Sequence, residues 1–358
     1  MKEEQIARFF VSANSGKGFY SLYDKVFQND LFDKIFIIHG GPGTGKSTLM
    51  RQIAEAGEEI GASREEILCS SDPTSLDGII LSYQGKRIAV LDGTLPHPRN
   101  IAMPAVKEEL WNLGSFWDAE KISESREKII SFSKEKKKSY QQAYSLLRAA
   151  DCCHTELYHQ YEELVNIEKL AAHIARSLNK VSKKGEAKEG FIHAYSMCGE
   201  YIENSILNRY KNIALLCGKA CAAQIYLSFF ENFLSKEQVE HTFFRSPLSP
   251  ELLDGIYVSE SDTLYLWEGL ASKHSNGKRI HLDRFFDKEK TPESKNNAKE
   301  LAGLEKALLA AALSSLKKAG RAHFSLEDVY KSAMDFRLMK QQAEKWKKET
   351  LHILKSGK

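Results

Sequence analysis

The sequence predicts an α/β fold made twice over: a parallel sheet with helices, then a long helical hairpin, then both again. Three observations carry that prediction. An apolar run leads through a glycine loop into a helix, short motifs of the first half return in order in the second, and residues 115 to 184 contain neither Gly nor Pro. The chain has 358 residues, enough for two or three domains at roughly 100–200 residues each. The boundaries read as 1–114 for the first α/β unit, 115–184 for the helical hairpin, 190–275 for the second α/β unit and 276–358 for a C-terminal helical region.

The first element is IFIIH at 35–39, a short β-rich run. GGPGTGKST follows at 40–48, and then LMRQIAEAGEEI, whose apolar residues Leu49, Ile53 and Ile60 recur at helical spacing. Strand, glycine loop and helix in that order, with Gly40, Gly45, Lys46 and Ser47 at the fixed places of GxxxxGK(S/T), make a P-loop. A triphosphate carries several negative charges, and successive N–H groups curled at a helix N-terminus bind it without moving. The predicted nucleotide-binding residues are Gly40, Gly41, Pro42, Gly43, Thr44, Gly45, Lys46, Ser47 and Thr48. In them the glycines admit the phosphates, Pro42 stiffens the loop and Thr48 caps the helix. Lys46 is expected to bridge the β- and γ-phosphates, and the Ser47 hydroxyl to ligate Mg²⁺.

The next elements supply acids. EEIL reads as a strand before the polar loop CSSDPTSLDG at 69–78. Carboxyl ends of strands in an open α/β sheet face the ligand crevice, so Asp72 and Asp77 are candidates to orient water or accept a proton. Each also reads as a turn residue, Asp72 before Pro73 and Asp77 before Gly78. RIAVLDG at 87–93 ends an apolar strand in Asp92, which fits a Walker B carboxylate holding Mg²⁺ with Ser47. Gly93 stands where many hydrolytic P-loop enzymes carry a water-orienting Glu. His97 follows as a further crevice candidate that also reads as a loop residue between two prolines, and Arg99 reads first as a solvated loop residue and second as a phosphate contact.

IFIIHG at 35–40 returns as IALLCG at 213–218, LDGI at 76–79 returns at 253–256, and AVLDG at 89–93 is echoed by YLWEG at 265–269. His154 and His323 each precede a Tyr by seven positions, at Tyr161 and Tyr330. Aligned without a gap, Gly43 becomes Cys221, Gly45 becomes Ala223, Lys46 becomes Gln224 and Ser47 becomes Ile225. No ammonium or metal-binding hydroxyl is left there, and new β-carbons crowd the place of the oxyanions. Cys217 and Cys221 read as buried small residues, and Glu268 and Asp254 as relics.

In the helical tract, apolar residues recur at Ile122, Ile129, Tyr140, Tyr144, Leu147, Leu157, Tyr161 and Leu164. Ser115 with Asp118 has capping-box spacing, and KKG at 183–185 reads as the close. One helix of that length would extend about 100 Å at 1.5 Å per residue, so a break is expected near Asp151 to His154. KKAG at 317–320 and Ser325 with Asp328 predict the matching break in the second copy. The runs KEKKK at 134–138 and KKGEAKEG at 183–190 read as a solvated helix face and a linker.

Composition excludes several classes of function. The 51 basic and 48 acidic residues leave a net charge of +3, without the basic excess of a nucleic-acid or anionic-membrane binder. Six scattered cysteines do not form a disulfide framework and read as free thiols in a reducing cytoplasm. The start MKEEQIARFF lacks an apolar signal region, and the stretch Ile213 to Leu234 is broken by Lys219, Gln224, Glu231 and Asn232. A cytoplasmic protein with no membrane span is expected, its oligomeric state left open.

Arg8, Phe9 and Phe10, the GGPGTGKST loop, CSSD with SLDG, and Asp92, Gly93 and Thr94 with Pro96 and His97 together resemble a family of poorly characterised bacterial P-loop ATPases built from two related halves. The resemblance is strong over residues 8–118 and faint beyond. It implies an ATP-binding or nucleotide-kinase-like protein, and the departure at 218–226 puts a second nucleotide site in doubt. The leading expectation is a Mg²⁺-dependent ATPase with one working site. The alternatives are a kinase passing the γ-phosphoryl group to a small-molecule hydroxyl, and a nucleotide-gated binding module with little turnover.

Overall fold

A computed structural model describes residues 6–94, 96, 101–178, 181–271, 277–287 and 292–356. The first half runs β1 (Ala7–Phe9), β2 (Ser12–Ser15), β3 (Gly18–Ser21), α1 (Tyr23–Val26), β4 (Lys34–His39), α2 (Lys46–Glu59), β5 (Ser63–Leu68), β6 (Leu76–Tyr83), β7 (Lys86–Asp92) and β8 (Glu108–Asn112). Helices α3 (Ala119–Glu124), α4 (Arg126–Glu162) and α5 (Ile167–Ser177) follow. The second half repeats the series as β9 (Ala187–Gly190), β10 (His193–Ser196), β11 (Gly199–Ile202), α6 (Ser205–Arg209), β12 (Asn212–Cys217), α7 (Ala220–Lys236), β13 (His241–Arg245), β14 (Leu253–Val258), β15 (Thr263–Trp267) and β16 (Lys278–His281). It ends in α8 (Pro292–Ser332) and α9 (Phe336–Lys355).

The two six-stranded sheets have one topology. Their orders are β1-β5-β6-β7-β4-β8 and, in the same sense, β9-β13-β14-β15-β12-β16. The duplication read from short motifs is therefore a duplication of architecture. The sheets are mixed, though, where a parallel one was expected: β5–β6 and β6–β7 pair antiparallel, while β1–β5, β7–β4 and β4–β8 are parallel. Loop length explains the difference. A parallel connection needs about a dozen residues or more, whereas β6 turns into β7 through Gln84 and Gly85, both at positive φ as a tight hairpin requires.

The helices do not form a hairpin within each half. α4 passes through Asp151–His154 without a break, and α8 likewise passes through 317–328. Each is covered by the other rather than by its own sequel. They run antiparallel, so that Lys136 meets His323 while His154 meets Glu305. Ala143, Leu147 and Ala150 of α4 and Ala312 and Leu316 of α8 are buried in their seam, and the small residues let the axes approach closely. The chain turns only beyond Glu162 and Ser332, where Asn166 and Asp335 cap α5 and α9 with their side chains. At the front of this region the cap is Asp118, which accepts from the Glu120 and Lys121 amides, and the helical tract stops at Ser177, short of KKG.

After each long helix the chain crosses to the opposite half. α5 buries Leu170 and Ile174 in the core of the second sheet. α9 buries Met339, Ala343, Trp346 and Leu354 in the core of the first, where Trp346 stacks on Trp111 at 5.0 Å and Trp111 stacks on Phe36 at 4.2 Å. Matching backbone bonds pin both crossings: Asp118 and Asp335 donate to Ala333 and Phe116, and Asn166 and Asp287 donate to Phe285 and Leu164. Phe10 and Phe191 exchange two 2.8 Å hydrogen bonds where the β1 and β9 ends meet. All six cysteines are free. Among the described residues no helix is long and apolar enough to cross a membrane.

Candidate functional site

Buried Ile35, Phe36, Ile37 and Ile38 hold β4 between β7 and β8, and the glycine loop leaves its C-terminal end. α2 starts at Lys46, one residue after Gly45, which takes a left-handed φ of 89°. No side chain caps this helix, and Thr48 lies inside its first turn rather than at the cap. Its leading amides are the orphan donors that favour an anion. Gly43 is also left-handed, at φ 73°, and a Cβ there would lie 2.7 Å from the Glu327 carbonyl oxygen. The loop thus carries a helix of the other half directly against it.

Lys46, Ser47 and Asp92 converge here. Lys46 Nζ donates to the Gly40 and Gly41 carbonyls at 2.8 and 3.0 Å and lies 3.5 Å from Asp92 Oδ2. Ser47 Oγ accepts from the Leu76 amide at 3.0 Å, tying α2 to the start of β6. Thr44 and Thr94 brace the loop by donating to Gly41 and Gly40, each at 2.9 Å, and the Thr94 amide donates to Asp92 Oδ1 at 2.8 Å. Burial raises the Asp92 pKa against the pull of Lys46, and the nearby Asp77 raises it further.

Asp77 and Asp72 separate. Asp77 is buried on β6, with Tyr23 OH donating to its carbonyl, and its charge is felt by Cys69, Tyr23 and Asp92. Asp72 closes a turn instead, accepting from the Thr74 amide and hydroxyl at 3.2 and 2.7 Å. His97 and Arg99 lie outside the described residues.

The face of α4 adds residues that motif reading overlooks. Tyr140 OH donates to Ser71 Oγ and Tyr144 OH to Asn14 Oδ1, both at 2.9 Å. One turn earlier, Lys136 is half-buried and donates to His323 Nδ1 at 3.1 Å, while Lys134, Lys137 and Lys138 stay exposed. The expected solvated face therefore excludes Lys136. The spacing 136, 140, 144 was the available signal, hidden by the lysines around it.

In the second half Gln224 is held by protein groups, beside a cavity of about 400 Å³ lined by Lys219, Cys221, His154, Lys295, Lys299 and Glu305. His154 Nε2 donates to Gln224 Oε1 at 2.7 Å, and Gln224 Nε2 donates to Asp254 Oδ1 at 3.5 Å. Asp254 faces His193 at 3.6 Å, and His193 faces Glu200 at 2.9 Å. Asp254 is thus a member of a buried network. Strand register also corrects the repeat by one residue. Ile38 pairs with Asp92 and its counterpart Leu216 pairs with Trp267, so Trp267 occupies the place of Asp92, and Glu268 that of Gly93. Trp267 Nε1 donates to the Gly218 carbonyl and Glu268 accepts from the Gly218 amide, which closes the loop.

No protein-family model, curated protein or solved structure matches this chain.

Proposed function

We propose that the chain is a Mg²⁺-dependent ATPase with one nucleotide site, the P-loop of the first half, and a second half that has lost the chemistry. The observation that carries the reading is the meeting of Lys46, Ser47 and Asp92 at the uncapped start of α2. Lys46 would exchange its carbonyl partners for β- and γ-phosphate oxygens, and the loop amides would hold the rest of the triphosphate. Ser47 and Asp92 would hold Mg²⁺. Mg²⁺ keeps several of its waters and takes few protein oxygens, so two side chains are enough for it. When bound, the ion neutralises phosphate charge. Asp77, buried beside Asp92, is the acid best placed to orient water or take a proton.

A kinase reading is favoured by one observation. A Cβ at Gly93 would lie 2.4 Å from Ile37 Cγ2 and 2.8 Å from the His39 ring, so this position admits no water-orienting Glu. Incubation with γ-labelled ATP separates the readings. Free phosphate marks the ATPase, labelled metabolite the kinase, and tight binding without turnover a nucleotide-gated module. Lys46→Ala should abolish the rise in melting temperature produced by MgATP, and Gln224→Ala should leave that rise intact. The reverse pattern would move the site to the second half.

A further inference from the structure

Lys136 of α4 donates to His323, one turn from Glu327, whose main-chain carbonyl packs on Gly43 of the glycine loop. Its ammonium is close enough to Lys46 for the two charges to repel, and burial and that repulsion lower its pKa. Two ammonium groups near one another in a half-buried space favour an anion between them. The neighbours hold Lys136 in place, and the Glu327 charge offsets part of these effects. His323 accepts from it through Nδ1, and Nε2 of the same ring lies 3.5 Å from Glu327 Oε1. Glu327 is engaged by Lys331 at 3.1 Å, and its main-chain carbonyl packs on Gly43.

The second half provides an internal comparison. The crossings match residue for residue, Asp118 with Asp287 and Asn166 with Asp335, and the same offset makes His323 the counterpart of His154 and Lys136 that of Glu305. Both pairs are in contact across the two long helices, Lys136 with His323 and Glu305 with His154. Where the loop keeps Lys46, the facing helix supplies a cation. Where the loop has Gln224, the position equivalent to Lys136 is the carboxylate Glu305, and the histidine is retained in both. At these two equivalent positions the cations are replaced together, Lys46 by Gln224 and Lys136 by Glu305, as expected if both serve one anionic ligand, while Lys219, Lys295 and Lys299 line the second-half cavity from other positions.

Resting on the P-loop reading above, we propose that Lys136 is the second cation of the phosphate site, contacting the terminal phosphate and making the site select nucleoside triphosphates over diphosphates. α4 and α8 together then form a fixed roof over the loop.

Calorimetric titration of the full chain with MgATP and MgADP tests this. Lys136→Gln keeps a donor for His323 and removes the charge. It should weaken MgATP binding about tenfold or more, the usual scale for a charged hydrogen bond, and change MgADP binding far less. Lys136→Arg should restore most of the preference, and Lys138→Ala, on the exposed face, should match the wild type. Thermal unfolding of each variant without nucleotide controls for folding. An unchanged ATP-to-ADP affinity ratio in Lys136→Gln would overturn the proposal while leaving the P-loop reading intact. A wild-type chain that binds neither nucleotide would overturn both.

Discussion

Lys46 begins α2, whereas its counterpart Gln224 lies one turn inside α7, which starts at Ala220, and the two meet different neighbours. Lys46 touches two carbonyls and a carboxylate, contacts that an incoming phosphate can replace, whereas Gln224 is locked between His154 and Asp254. The lock depends on charge. Burial alone would lower the His193 pKa, but Asp254 and Glu200 outweigh it and raise it to about 9. A folded pKa above the unfolded one means that protonation favours the folded state. The contribution is complete below about pH 6.5 and disappears as pH rises through about 9. Urea unfolding from pH 6.5 to 9.5 should therefore show a loss of at most about 3 kcal/mol that His193→Gln largely removes. Equal pH slopes in the two proteins would refute the charged network.

α9 shows how an element can belong to a core far from it in sequence. Trp346 completes an aromatic stack begun by Phe36 and Trp111, under the strands that carry the glycine loop. Truncation of such a ring costs about 3–5 kcal/mol. Trp346→Ala should accordingly lower the urea midpoint steeply and weaken nucleotide binding, although residue 346 is remote in sequence from the loop. A loss below about 1 kcal/mol would mean that α9 is only laid against the surface. The same logic explains the missing breaks in α4 and α8. Length argued for a turn near 151, but the two helices bury one another's apolar stripes along their length, so neither has to fold back on itself.

The whole molecule behaves as two copies joined by exchange, with α5 and α9 each covering the sheet of the other half and the Phe10–Phe191 pair at the junction. The linear boundaries at 114, 184 and 275 mark repeats, not units that close their own cores. A chain ending at residue 291 would leave the Trp111 face and one side of α4 uncovered. It should lose the cooperative urea transition and bind a hydrophobic dye. A sharp transition with an m-value in proportion to its length would show that the first half folds alone.

The linear sequence by itself determined the α/β class, the strand–loop–helix unit with Lys46 and Ser47, the strand ending in Asp92, the duplication, and the replacement of Lys46 and Ser47 by Gln224 and Ile225 in the second copy. These are local patterns, and hydrophobic period, glycine placement and motif spacing are written within a few residues of one another. Tertiary structure alone decided the antiparallel pairing of β5–β6–β7, the separate fates of Asp72 and Asp77, the one-residue shift that puts Trp267 in place of Asp92, and the half-buried Lys136 against His323. Each depends on which distant segment lies alongside. A lysine among lysines differs from its neighbours only when a helix from the other half turns it inward, and no spacing within its own run encodes that contact.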